Sequence, residues 1–176
     1  GSAHLDEMLK RAEVPWGKAD VAITHFHADH VGNLPYFLEQ GGRRVYHGAL
    51  PQVNDEFCRD FARAIGWQEA LGACWEEFRD TLLYIMQVRQ PTTPSAQALS
   101  DGDMISIGDW NLTAIETPGH APEHLCFGDR WKKTLFSGDH IVDAAPSLMQ
   151  FGRDDHLLQR FMGSFPHLKE MGFETV

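Results

Sequence analysis

The chain has 176 residues, 43% of them hydrophobic, enough for one sizeable core and too few for two, so a single domain over 1–176 is expected. Its 15 basic and 25 acidic residues leave a formal net charge of −10, which argues against a nucleic-acid partner because affinity for phosphate backbones comes mainly from cations that displace counterions. No run is long and apolar enough for a membrane span, the opening GSAHLDEMLKRAEV lacks a signal-peptide core, and Cys58, Cys74 and Cys126 form no C-x-x-C pair. The expectation is therefore a cytoplasmic protein without disulfides, its three thiols serving as small buried hydrophobes.

Residues 5–13 predict a short helix ended near Pro15, and Val21 to Thr24 a short buried strand that runs into THFHADH, residues 24–30. Leu34 to Glu39 predict a helix, Gly41-Gly42 a break, and Arg44 to Tyr46 a second strand. From Gln52 to Arg89 the pattern is helical. Phe57, Phe61 and Ile65 recur at intervals of four, while Trp67, Leu71, Cys74, Trp75, Phe78, Leu82, Ile85 and Met86 hold one face. Two helices broken near Gly66 fit, with the aromatic stripe read as core, or else as the roof of a substrate cleft.

Gln90 to Pro94 form a breaker, after which the texture changes to strands. Met104 to Ile107 and Leu112 to Ile115 predict a hairpin around Gly108-Asp109, and Leu125 to Phe127 with Thr134 to Phe136 a second one. Each ends in a polar element, Thr117 to His120 and Ser137 to His140 respectively. Asp154 and Asp155 can cap a final helix through about Lys169, and Phe173 to Val176 begin one more strand.

The chemistry concentrates in the first polar stretch. In an extended chain, side chains two apart point the same way, so His25 and His27 can act as a two-pronged clip on one metal ion. Asp29 and His30 follow where strand gives way to helix and can diverge toward a second point. Imidazoles with carboxylates favour zinc, with iron or manganese possible, and no cysteine lies nearby to close a structural site. H-x-H-x-D-H arises by chance in roughly a few of every thousand such chains, so it reads as a working motif rather than a polar loop.

THFHADH, followed by TPGHAPEH and then FSGDH, resembles the metallo-β-lactamase superfamily of metal-dependent hydrolases, in its glyoxalase II-like and thioesterase-like branch. The resemblance runs from about Val21 to Val176 and implies an αββα sandwich with a helical insert at about 50–89. It further implies that His25, His27 and His120 hold a first metal, that Asp29 and His30 hold a second, and that Asp139 bridges them. The implied activity is hydrolysis of a small ester, thioester or lactone by a metal-bound hydroxide. Asp29 would also act catalytically, orienting the nucleophile and moving a proton.

Thr24, Thr117, His124 and His140 are candidates to support the ligands from behind. His140 is left open between lining the site and bonding to backbone. His47 has a possible substrate-side role, and His4, His156 and His167 read as surface residues. Against the family pattern, a further histidine in a late Gly-His-Gly-like loop and several strands before the first motif are missing. The sandwich is thus expected to be incomplete, with a second metal site one ligand short, and self-association with a second copy is expected to cover an unpaired sheet edge. A non-catalytic metal-binding relic of the fold is the alternative function.

Overall fold

The computed structural model describes residues 2–50, 55–64, 66–88, 93–143, 147 and 156–176. Helix α1 (Ser2–Arg11) leads through a 3-10 turn (Trp16–Lys18) to strand β1 (Asp20–Ala22). Helices α2 (Ala28–Val31) and α3 (Leu34–Glu39) follow, then strand β2 (Arg44–His47). Next come α4 (Asp55–Ala64), α5 (Trp67–Leu71), a 3-10 turn (Gly72–Cys74) and α6 (Trp75–Val88). Strands β3 (Ala96–Ala98), β4 (Met104–Ile107), β5 (Trp110–Glu116), β6 (Leu125–Asp129) and β7 (Thr134–Phe136) precede helix α7 (Leu157–Glu170).

The strands form two sheets. β1, β2 and β3 run parallel in that order, and β4 to β7 form an antiparallel meander. Alternation sorts the side chains of the meander: Ile105, Leu112, Ala114, Leu125 and Phe127 meet Tyr46 and Leu99 between the sheets. On its other face Ile115, Cys126 and Leu135 pack on Leu168 of α7. The outer face of the parallel sheet is covered by α1 to α3, through Ile23, Phe26, Val31, Leu34, Phe37 and Val45. The layers are therefore helix, sheet, sheet, helix, held by side chains whose burial contributes about 1.5–3 kcal/mol each.

The sheets are sewn together where the function-bearing motif begins. Beyond β1 the chain bends at Thr24, with Ile23 N–H donating to the Tyr46 carbonyl and Leu125 N–H donating to the Thr24 carbonyl, both at 2.8 Å. Burial alone would raise the Asp20 carboxyl, but the guanidinium groups of Arg43 and Arg44 outweigh it and hold the group at about 2. Asp129 organises the β6–β7 turn by accepting from the backbone N–H groups of Asn111, Trp131 and Lys132.

The fold departs from several of these expectations. The helical stretch is divided by two breaks, at Gly66 and at the Gly72–Cys74 turn, so three helices replace two. Cys74, expected inside, is exposed in that turn, whereas Cys58 and Cys126 are buried. Of the aromatic stripe, Trp75 is buried and Trp67 is 38% exposed, and Phe78 touches both rings. The side chains of Phe57, Phe61, Ile65, Leu82, Ile85 and Met86 lie outside those described, as do Asp154 and Asp155. Phe173 to Val176 provide a single parallel bridge, between Thr175 and Thr134. Among the described residues β4 has no partner on its outer edge and exposes Met104, and no helix is long and apolar enough to cross a membrane.

Candidate metal centre

Three segments converge at the C-terminal ends of strands. The segment that follows β1 bends at Thr24 and ends at His27, whose β-region backbone (φ −69°, ψ 151°) directly precedes α2. Phe26 turns inward and is buried, so its neighbours His25 and His27 turn together to the other side. The second segment leaves β5 as Thr117 to His124, closed on itself by Thr117 N–H to the His124 carbonyl at 3.0 Å and by His124 N–H to the Ala121 carbonyl at 3.2 Å. Phe161 of α7 presses on this loop so closely that a Cβ on Gly119 would fall 2.3 Å from its ring. The third segment leaves β7 as Ser137 to His140, a turn closed by His140 N–H to the Ser137 carbonyl at 3.1 Å.

Together they gather the ligand atoms of His25, His27 and His120 within 4.8 Å of one another, and those of His25, His30 and Asp139 likewise. His27 Nδ1 and His120 Nε2 are 2.8 Å apart. Asp139 stands between the groups, with one carboxylate oxygen 3.1 Å from His30 Nε2 and the other 3.3 Å from His120 Nε2. With 32% of its side chain exposed, Asp139 marks the side on which the cluster opens to solvent. Asp29, expected beside His30 as a ligand, joins neither group. Its side chain is 78% exposed and lies 3.6 Å from His30 Nε2, because the first turn of α2 carries it to the rim.

The protonation states suit a cation. Burial, followed by the neighbouring imidazoles of His27, His124, His30 and His120, pushes His25 far below the ordinary histidine range. Burial, then His120, holds His27 at about 4 despite the pull of Asp29. Both rings are thus neutral at neutral pH and offer lone pairs, as ligation demands. His25 Nδ1 is 3.1 Å from the Thr24 hydroxyl, while its Nε2 is buried and finds no hydrogen-bond partner among the described residues. An unsatisfied buried nitrogen costs about 1–3 kcal/mol, a penalty that a bound cation removes. The donor set therefore fits a divalent metal ion.

Behind the two groups the supporting candidates take distinct positions. His124 stacks against His25 with ring centroids 5.0 Å apart, and burial, then His140 and His120, holds it at about 3. Its Nδ1 is 2.9 Å from the Thr117 hydroxyl, which also lies 3.2 Å from Cys126 Sγ. That thiol is pushed by burial to about 12, with Thr117 pulling back, so it is an inert packing group. Among the described residues, His140 belongs to neither group and its ring makes no backbone hydrogen bond. Its Nε2 meets the Ser164 hydroxyl at 2.7 Å and its ring lies between Phe161 and Phe165. His47 Nδ1–H donates to the Gly48 carbonyl at 2.6 Å. His4, His156 and His167 are exposed.

Two residues that the motifs did not single out belong to this assembly, Ser164 and Glu123. The Glu123 carboxylate accepts from Phe26 N–H at 3.3 Å, and burial raises its carboxyl against the pull of its own backbone N–H and that of Phe26. Glu123 lies inside TPGHAPEH, which was the available signal; Ser164 had none.

The His25–His27 pair, the loop bearing His120 and the aspartate between them all fall within residues 15–165, which match the family model of the metallo-beta-lactamase superfamily. The chain belongs to the metallo-beta-lactamase superfamily. Acyl-coenzyme A thioesterase MBLAC2 of Gallus gallus is 34% identical over 125 residues, covering 69% of this superfamily member and 41% of the thioesterase. Atrochrysone carboxyl ACP thioesterase of Aspergillus fumigatus is 24% identical over 174 residues, covering 98% and 42%. The chain thus spans less than half the length of these curated relatives. A crystal structure of a metallo-beta-lactamase family protein from Thermus thermophilus superposes with a TM-score of 0.69 at 24% identity, covering 98% of this chain and 58% of that one.

Proposed function

We propose that this chain carries the centre of a zinc-dependent hydrolase acting on small thioesters. The observation that carries the reading is the convergence of His25, His27 and His120 on one point, with the Asp139 carboxylate directed from there toward His30. His25, His27 and His120 would hold a first ion, and His30 with Asp139 a second, to which Asp29 can swing from the rim. Imidazole and carboxylate donors without thiolate favour zinc, with iron or manganese as competitors. Among ester, thioester and lactone, the thioester is favoured because two of the relatives are named thioesterases.

When bound, the ions supply Lewis acidity, lowering the pKa of water from about 15.7 toward 7 and polarising the carbonyl. The side chains do the rest. The neutral rings of His25 and His27 keep their lone pairs for ligation, and Thr24 fixes the tilt of His25 through Nδ1. Asp29 accepts the proton of the attacking water at a carboxylate oxygen and, being exposed, passes it to solvent. Water oxygen adds to the thioester carbon, the C–S bond breaks, and the departing thiolate takes a proton from solvent, so that acid and thiol are the products.

The test is release of free thiol from short acyl-CoA esters by protein loaded with zinc, stripped by chelator, and reloaded. Turnover should vanish on stripping and return with zinc. Equal thiol release from protein holding under about a tenth of an ion per chain would refute the reading.

A further inference from the structure

We infer that Glu123 is a positioning residue for the metal centre: its carboxylate locks the backbone between His25 and His27 to the loop that carries His120. This rests on the metal-centre reading above. The two ligand histidines flank Phe26, and the orientation of both depends on the backbone at that residue. Phe26 is held twice. Its ring is buried among Ile23, Val31, Leu34 and Phe37 beneath the parallel sheet, and its N–H donates to Glu123 Oε1, 97 positions away, at 3.3 Å.

The backbone link between these segments lies two residues before Phe26, with Leu125 N–H on the Thr24 carbonyl. At Phe26 a side-chain acceptor takes over. Glu123 can serve because its own place is fixed. It belongs to the loop closed by the Thr117–His124 and His124–Ala121 backbone bonds, and Gly48 at the end of β2 packs so tightly that a Cβ there would come 2.5 Å from the Glu123 carbonyl oxygen. One carboxylate thereby sets the separation of the His25–His27 clip from His120, with His27 Nδ1 and His120 Nε2 only 2.8 Å apart. Without it, Phe26 N–H loses its acceptor and the clip can rotate away from the third imidazole.

The test compares Glu123→Gln, which keeps the acceptor oxygen, with Glu123→Ala, which removes it, and Glu123→Asp, which withdraws it by one methylene. Each variant of the 176-residue chain is titrated with cobalt(II), following the visible ligand-field bands, and with zinc by calorimetry, while circular dichroism monitors folding. Glu123→Gln should keep the wild-type cobalt spectrum and an affinity within about threefold, whereas Glu123→Ala and Glu123→Asp should weaken binding by about 10–100-fold and alter the bands. If Glu123→Ala does not fold, Glu123→Asp is read in its place. Wild-type affinity and bands in the shortened variants, or a Glu123→Gln as weak as they are, would overturn the inference. Failure of the wild-type protein to bind either ion would instead sink the functional reading itself.

Discussion

His120→Ala is expected to strip the centre of its first ion and to lower thioester turnover by at least about 10³-fold, since metal polarisation supplies several kcal/mol of transition-state stabilisation and each 1.36 kcal/mol is a factor of ten. The substitution removes the only one of the three convergent imidazoles that comes from outside the His25–His27 clip. It also removes the nitrogen 3.3 Å from Asp139, so the carboxylate between the two groups loses its contact on one side. The fold should survive, because the loop carrying His120 is closed by backbone hydrogen bonds that do not involve the imidazole. Elemental analysis with far-UV circular dichroism checks both halves of the expectation. A folded His120→Ala protein that retains wild-type metal content and turnover would remove His120 from the ligand set.

The second large effect is on stability. Gly138 has φ +51°, a left-handed conformation that side chains disfavour, and a Cβ there would lie 2.8 Å from both His124 Nε2 and the Thr24 hydroxyl and 2.9 Å from Thr24 Cβ. None of these neighbours can retreat freely. His124 stacks on His25 and Thr24 accepts a backbone bond from Leu125. Gly138→Ala should therefore cost about 2–4 kcal/mol, lowering Tm by roughly 5–15 °C for a chain of this size. Because Gly138 precedes Asp139, metal affinity should fall as well. Thermal unfolding and zinc titration of the variant decide the matter, and a Tm within a degree of wild type would show that the turn at Ser137 to His140 has slack that its geometry denies.

Much of the centre was legible in the chain because its chemistry is local. Alternation along residues 25–27 is enough to place His25 and His27 on one side, and the first hairpin announces itself through apolar residues on either side of Gly108-Asp109. The second turn falls at residues 130–133 rather than at Gly128-Asp129, because those two residues pair with Leu135 and Thr134 inside β6, yet both hairpins still deliver His120 and Asp139 to strand ends. What could not be read depends on distant partners. Ala96–Ala98 has no strand pattern of its own and is a strand only because β2 lies beside it in register. The spacing of Asp29 and His30 says that both leave the strand together, but the orientation of α2 sends Asp29 to the rim and leaves His30 facing Asp139. Cys74 fell on the apolar face of a continuous helix and surfaces because the helix breaks just before it. The bonds from Glu123 to Phe26 and from Ser164 to His140 join residues 97 and 24 positions apart, a reach that no local pattern encodes.

The most direct measurement is anomalous diffraction at the zinc absorption edge from crystals of the protein grown with zinc. The expected result is a peak at bonding distance, about 2.0–2.1 Å, from one ring nitrogen each of His25, His27 and His120. A map with those three rings in place and no peak among them would contradict the metal centre on which the proposed activity stands.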